Sequence, residues 1–139
     1  MQFPQVKVPT QVATATRAHA MIAILEDDEP TCELYQLLLE NQGYRVDMFD
    51  DHDQCCDFIR TVHPDLLIFD VIGLRQNGLS VLDALCREFG EDLPPVIIAT
   101  ALHQYQIAEH PVLRRIPHLR TFFKPFDIID MVHAVKEFC

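Results

Sequence analysis

The stretch Asp65-Leu66-Leu67-Ile68-Phe69-Asp70 decides the fold class of this chain. Four consecutive apolar residues stand between two aspartates, and Pro64 precedes the first aspartate. A short, wholly apolar run of this kind is typical of a strand buried on both faces, as in a parallel sheet. An ionised carboxylate at the end of such a strand is costly unless another group pairs with it. Asp70 is therefore either a paired strand-end cap or the centre of a site.

Further strands and helices alternate with this strand along the chain. The apolar runs predict strands over 21–25, 44–49, 66–70, 96–100 and 119–123. Helical spacing predicts helices over 30–43, 53–62, 78–89 and 127–138, and a helix broken by two prolines over 103–118. Five strands alternating with five helices predict one parallel sheet with helices on both faces.

The first predicted helix has clear local signals. Pro30 suits its first turn, and Gly43 suits its C-terminal cap. Leu34, Leu37 and Leu38 form an apolar stripe that we expect to face the sheet.

The length predicts one domain preceded by a tail. A chain of 139 residues builds one hydrophobic core, but not two. Residues 1–19 contain two prolines and no acidic residue, and they lack a sustained period. We expect them to form a flexible N-terminal tail, with partial docking left open, before a domain over 20–139.

Charge and cysteine usage exclude several functions. The net charge is −10, and residues 20–139 alone carry −12, which argues against direct binding to nucleic acid. No stretch is long and apolar enough to suggest membrane insertion. Five cysteines without a Cys-x-x-Cys motif suggest neither a disulfide framework nor a zinc site, so a reducing cytoplasm fits best.

Chemically useful residues stand where four of the strands end. Carboxyl ends of parallel strands meet at one edge of a sheet, so these side chains can converge. Clustered carboxylates suit a hard cation such as Mg²⁺, and a nearby ammonium and hydroxyl suit phosphoryl transfer to an aspartate. The residues are Glu26, Asp27 and Asp28 after the first strand, Asp70 on the third, Thr100 on the fourth and Lys124 after the fifth.

Over residues 20–138 the sequence resembles a response-regulator receiver domain. Spacings of 43 residues from Asp27 to Asp70 and of 30 from Asp70 to Thr100 match that family. The motifs that carry the resemblance are Ile24-Leu25-Glu26-Asp27-Asp28-Glu29-Pro30, Asp65–Asp70 with Gly78 eight residues on, Pro95–Ala101 ending in Thr-Ala, and Lys124-Pro125-Phe126.

The resemblance implies a flavodoxin-like (βα)5 fold and phosphorylation of Asp70 by a histidine kinase or a histidine phosphotransfer protein. It implies Mg²⁺ or Mn²⁺ bound by Asp27, Asp70 and the backbone carbonyl of Ile72, with Glu26 acting through water. Thr100 and Lys124 would bind the phosphoryl oxygens.

The family's role is signalling by contact with a downstream protein, with phosphorylation-dependent dimerisation as one form of it. Beyond self-phosphorylation and slow self-dephosphorylation, no enzymatic turnover is implied. Whether the chain stands alone or is part of a longer protein stays open.

Several positions depart from the family pattern. Leu74 replaces a customary proline, and Thr121 stands where an aromatic switch residue is usual. The switch would therefore rest on Thr100 and Thr121. By analogy with the family, Ile72 and Leu102 flank the approach of water to the phosphoryl group. Both are apolar, so we expect slow hydrolysis.

Two alternatives compete with a phosphorylated receiver. One is an aspartyl-phosphate phosphatase of the haloacid-dehalogenase type, which needs an acid two residues after the nucleophile, where this chain has Ile72. The other is a receiver-like docking module that is never phosphorylated. Whether or not the receiver is phosphorylated, we expect residues 103–123 to form its least acidic surface and to be the face that binds a partner. Its basic residues and histidines are His103, His110, Arg114, Arg115, His118 and Arg120.

Overall fold

The computed structural model describes residues 20–70, 78–101 and 111–139. The predicted tail over 1–19 lies outside the described residues, as do residues 71–77 and 102–110. Five strands of five residues each are present: β1 (Met21–Leu25), β2 (Arg45–Phe49), β3 (Leu66–Asp70), β4 (Val96–Thr100) and β5 (Leu119–Phe123).

The five strands form one parallel sheet in the order β2-β1-β3-β4-β5. The register pairs Leu25 with Phe49 and Phe69, and Thr100 with Phe123. The last residues of neighbouring strands therefore lie nearly level, and all five strands end at one edge. The predicted parallel α/β fold is confirmed.

Four α-helices fall within the described residues: α1 (Glu29–Asn41), α2 (His52–Val62), α3 (Gly78–Phe89) and α4 (Ile128–Phe138). Of the helix predicted over 103–118, residues 102–110 are not described. The remainder contains a 3₁₀ helix, Pro111–Arg115, rather than an α-helix. Pro111 starts it because proline has no backbone N–H to continue a helix from the preceding turn.

Helices cover both faces of the sheet. On one face α1 and α4 pack against Ile22, Ile24 and Ile68. On the other face α2, α3 and the segment that follows Pro111 pack against Leu25 and Phe69. Alternate residues of each strand point to opposite faces, so each wholly apolar strand supplies both cores.

The stripe predicted for α1 was wrong in its orientation. The helix buries Tyr35 and Leu39 against the sheet, whereas Leu34 is 45% exposed and Leu37 is 68% exposed. The apolar residues of α1 fit two stripes, and the sequence alone does not say which stripe faces the sheet. Tertiary packing of Tyr35 and Leu39 beside α4 settles the rotation of the helix.

No helix within the described ranges is both long enough and apolar enough to cross a bilayer.

Candidate functional site

The carboxyl edge of the sheet brings several predicted side chains together. Asp70 and Thr100 are the last residues of β3 and β4, and both are buried. Glu26 directly follows β1 and is only 2% exposed. Lys124 directly follows β5 and is held to β4, since its backbone N–H donates to the Thr100 carbonyl at 2.7 Å.

Lys124 links the two buried carboxylates. Its Nζ donates to Asp70 Oδ2 at 2.7 Å and lies 3.8 Å from Glu26 Oε1. Partial burial by itself lowers the pKa of Lys124. The hydrogen bond to Asp70 and the negative charges of Asp70 and Glu26 outweigh that effect, so the pKa is raised. Lys124 is therefore a fixed cation at the centre of the site.

The surroundings of Glu26 disfavour its charged form. Burial raises its pKa to about 7, and neighbouring Asp70 acts in the same direction. The backbone N–H of Asp28 donates to Glu26 Oε2 at 3.1 Å, whereas the buried Oε1 forms no hydrogen bond with any group in the described residues. Two buried carboxylates thus share one ammonium, and an additional cation would be favourable here.

The three acidic residues after β1 have different surroundings. Asp28 caps α1, since its side chain accepts a hydrogen bond from the backbone N–H of Thr31 at 3.1 Å. A hydrogen bond from the Thr31 hydroxyl, followed by this backbone bond, lowers the pKa of Asp28. Asp27 is exposed. Asp28 is thus engaged as a helix cap, whereas Glu26 is buried and faces Lys124.

The donor set suits a hard cation, although the ligand shell predicted from the resemblance is only partly assembled. Glu26 and Asp70 offer carboxylate oxygens, which Mg²⁺ prefers. Among the described residues, however, no group of three or more His, Cys, Asp or Glu side chains is placed to hold a metal. The third predicted ligand, the carbonyl of Ile72, lies outside the described part of the chain, and the role of Asp27 stays a prediction.

Of the predicted switch and access residues, some lie among the described residues and others do not. Thr121 is half-buried in β5 and pairs with Ile98, whereas Phe122 pairs with Ala99 and is buried on the face of α1 and α4. Phe122 therefore points away from the face on which an aromatic switch at position 121 would lie. Ile72 and Leu102 fall outside the described residues.

The expected partner face is partly neutralised within the domain. Arg115 pairs with Asp83 of α3, and Arg120 pairs with Glu137 of α4 at 3.5 Å. His103 and His110 are not described. The role of this surface stays a prediction.

Sequence reasoning missed two residues of α1 that lie near the site. The Tyr35 hydroxyl is buried and has no hydrogen-bond partner among the residues that the structure describes. Burial, followed by the charges of Glu26 and Asp70, raises the pKa of Tyr35. The Cys32 thiol donates to the Glu26 carbonyl at 3.4 Å. An alternative stripe of Cys32, Tyr35 and Leu39 was readable from the sequence, but it competed with the leucine stripe.

A family model described as the response regulator receiver domain matches residues 22–136. This chain belongs to the response regulator receiver domain family. The match begins within β1, covers the other four strands and includes Glu26, Asp70, Thr100 and Lys124, so the resemblance found in the sequence is confirmed.

Curated relatives of this receiver domain include transcriptional and response regulators. Its sequence is 36% identical to the transcriptional regulatory protein DltR of Streptococcus agalactiae over 83 residues. The aligned stretch covers 60% of this chain and 36% of DltR. Its sequence is also 35% identical to the response regulator MprA of Mycobacterium tuberculosis over 80 residues. This aligned stretch covers 58% of this chain and 34% of MprA. The receiver domain thus spans about a third of these relatives.

Solved structures share the fold. CheY4 of Vibrio cholerae superposes with a TM-score of 0.73 at 15% identity, covering 87% of this chain and 99% of CheY4. The response regulator TrrA of Thermotoga maritima, solved in complex with Mg(2+)-BeF, gives a TM-score of 0.71 at 19% identity, covering 86% of this chain and 99% of TrrA. The predicted CheY-like architecture is therefore confirmed.

Family membership establishes the general function. The chain is a receiver domain of the two-component response regulators, the class whose domain serves as phosphoacceptor. This assignment does not favour a docking module that is never phosphorylated.

Proposed function

We propose that this receiver domain accepts a phosphoryl group on Asp70 from a histidine kinase or a histidine phosphotransfer protein. The observation that carries the proposal is the 2.7 Å contact between Lys124 Nζ and Asp70 Oδ2 at the carboxyl edge of the sheet. It identifies Asp70 as the buried carboxylate with a cation already beside it. Glu26, at the end of β1, completes the charged cluster.

In the transfer step an Asp70 carboxylate oxygen forms a bond to phosphorus while the bond from phosphorus to the donor's imidazole nitrogen breaks. The electron pair of the broken bond stays on that nitrogen. Lys124 then pairs with a phosphoryl oxygen, and the Thr100 hydroxyl donates to another. These roles need a cation and a hydroxyl at adjacent strand ends, which is where Lys124 and Thr100 stand.

The proposal includes a divalent cation, Mg²⁺ or Mn²⁺, at the same edge. Asp27, Asp70 and the Ile72 carbonyl would hold it, with Glu26 acting through water. When bound, the ion supplies positive charge to the phosphoryl oxygens. Its support in this chain is the buried Glu26 Oε1, which forms no hydrogen bond within the described part of the chain.

The remaining parts of the proposal concern output. Phosphorylation of Asp70 would change the contacts of Thr100 and Thr121 and alter binding to a downstream protein, with dimerisation of the phosphorylated form as one route. Beyond self-phosphorylation and slow self-dephosphorylation, the domain would turn over no substrate. The proposed compartment is the cytoplasm, supported by five cysteines that are all free thiols.

The test is transfer from a small phosphodonor. The wild-type chain, incubated with acetyl phosphate and Mg²⁺, should gain the mass of one phosphoryl group. Asp70→Asn should gain none, because its amide is not a nucleophile. The matched control is Asp50→Asn, which alters an exposed carboxylate after β2 at the same edge and should react like the wild type.

Uptake by Asp70→Asn at the wild-type rate would refute the assignment of the phosphoacceptor. Uptake that is lost equally in Asp50→Asn would show that overall charge at this edge, rather than Asp70, governs the reaction.

A further inference from the structure

The outward side of α1 carries an apolar stripe beside an acidic one. Leu34 and Leu37, at 45% and 68% exposure, lie one helical turn apart and adjoin half-buried Leu38. Ile129 on α4 is also exposed, at 58%, but it is a single residue. Exposed apolar side chains that form a continuous patch mark an interaction site, whereas isolated ones are ordinary.

The acidic stripe runs along the same helix. Glu29, Glu33 and Glu40 recur at helical spacing next to the leucines, and α1 contains no Lys or Arg. None of these three carboxylates forms an ion pair with a residue in the described ranges. We call the leucines 34, 37 and 38 together with these glutamates the outer face of α1. A segment that is complementary to this outer face would be apolar, carry positive charge and contain no acidic residue.

Residues 1–19 of this chain have that composition. They contain Lys7 and Arg17 and no Asp or Glu, in a chain whose remaining residues carry a net charge of −12. Their apolar side chains include Phe3, Val6, Val8 and Val12. Charge and apolar content therefore both match the outer face of α1.

The point at which this segment joins the domain is also suitable. The Ala20 carbonyl accepts a hydrogen bond from the backbone N–H of Arg45 at 2.9 Å. Arg45 follows the C-terminal end of α1 by four residues. Ala20, the first described residue, therefore lies beside the end of α1. This helix is about 20 Å long, and 19 extended residues span up to about 60 Å.

We propose that residues 1–19 bind along the outer face of α1, with valines against Leu34 and Leu37 and with Lys7 and Arg17 near the glutamates. A second copy of the domain is a poorer occupant, because two outer faces would bring six glutamates together. Since the segment is tethered, its effective concentration is on the order of 1 mM, so weak affinity suffices. The contact is independent of the phosphoryl chemistry at Asp70.

The experiment uses the full chain in solution. Methyl-labelled protein should show nuclear Overhauser contacts from Val6, Val8 or Val12 to Leu34 or Leu37. In Leu37→Gln these contacts should be lost, and the resonances of residues 1–19 should shift. Ile129→Gln, which removes a similarly exposed apolar side chain on α4, should leave both unchanged. Lys7→Glu combined with Arg17→Glu should shift the α1 resonances in the same direction as Leu37→Gln.

Three outcomes would overturn the proposal. The first is an absence of contacts between residues 1–19 and α1, which would leave the outer face to a separate protein. The second is contacts that appear only between differently labelled chains in a mixed sample, which would indicate a second copy. The third is resonances of residues 1–19 that respond equally to Leu37→Gln and Ile129→Gln. None of these outcomes bears on phosphorylation of Asp70.

Discussion

At the scale of single residues, the site consists of buried carboxylates that need a cation beside them. Glu26 and Asp70 are both buried, and Lys124 is the cation between them. A buried ion pair is costly to break on one side, because the remaining charge keeps its desolvation penalty without its partner. Because Glu26 and Asp70 share this one ammonium, removing a carboxylate relieves repulsion, whereas removing the ammonium leaves both carboxylates unpaired, so we expect opposite effects on stability.

We predict that Asp70→Asn folds and that, in EDTA, its free energy of unfolding exceeds that of the wild type. The expected difference is on the order of 1 kcal/mol, which corresponds to a change of about one pKa unit. The change relieves repulsion with Glu26 and frees Lys124 to pair with it. Lys124→Met should lower the stability, because two buried carboxylates would lose their cation. Urea unfolding measures both, and a less stable Asp70→Asn would show that the ion pair with Lys124 outweighs the repulsion.

By analogy with the family, we expect Ile72 and Leu102, which lie outside the described residues, to control the lifetime of the phosphoryl group. Neither side chain can hydrogen-bond a water for attack on phosphorus. Since loss of such positioning typically costs on the order of 10²-fold in rate, we expect slow hydrolysis. The measurement follows decay after donor removal in the wild type and in Ile72→Asn combined with Leu102→Glu. Equal decay rates would show that these side chains do not control access.

The buried thiols should be unreactive near neutral pH. Burial raises the pKa of Cys55 to about 12 and that of Cys56 to about 11. The thiolate is the reactive form, so its fraction at pH 8 is small in the native state. Iodoacetamide at pH 8 should label both residues only after denaturation, as followed by peptide mass. Rapid labelling of the native protein would mean that α2 opens readily.

At the scale of elements, α1 joins the site to the rest of the domain through its N-terminus. Asp28 caps the helix, while Glu26, two residues earlier, enters the site. Adjacent acidic residues of similar appearance in the sequence therefore have separate roles, and each role has its own experimental signature.

We predict that Asp28→Ala lowers the free energy of unfolding by about 1 kcal/mol, the usual cost of losing an N-cap side chain. It should leave the stabilisation by Mg²⁺ intact. Asp27→Ala should show the reverse pattern, with little effect in EDTA but no response to Mg²⁺. Thermal unfolding with and without the ion distinguishes the two variants. Loss of the Mg²⁺ response in Asp28→Ala alone would reassign the metal ligand.

At the scale of the whole molecule, the domain carries a large negative charge with a cluster of it buried at one edge of the sheet. The net charge of the chain is −10. A cation that binds only the folded state shifts the folding equilibrium towards that state, and the effect grows with its concentration.

We predict that millimolar Mg²⁺ raises the melting temperature at neutral pH. The gain in free energy is RT ln(1 + [L]/Kd), about 1.4 kcal/mol for each tenfold excess over Kd. Sodium chloride at matched ionic strength is the control, because screening of surface charge would respond to both salts. Equal effects of the two salts would argue against a specific site.

The sequence by itself determined the fold class and the residues of the site. Wholly apolar runs such as 66–69 and 96–99, which end in Asp70 and Thr100 and alternate with helical patterns, are typical of a parallel sheet covered on both faces. Parallel strands end at a common edge, so Glu26, Asp70, Thr100 and Lys124 had to meet there. Local chemistry likewise predicted Pro30 in the first turn of α1 and Asp127 as the cap of α4, and the structure has both.

Only the tertiary structure decided which face of α1 is buried and which contacts are made by the acidic residues between β1 and α1. The leucines 34, 37 and 38 and the alternative stripe of Cys32, Tyr35 and Leu39 both fit a helix. The choice depends on how closely each set packs against the sheet and α4, which are distant in sequence. The same rotation exposes Leu37 and buries Tyr35 near Glu26. Local sequence fixes which residues can form a helix, whereas the surfaces it packs against fix the face that is buried.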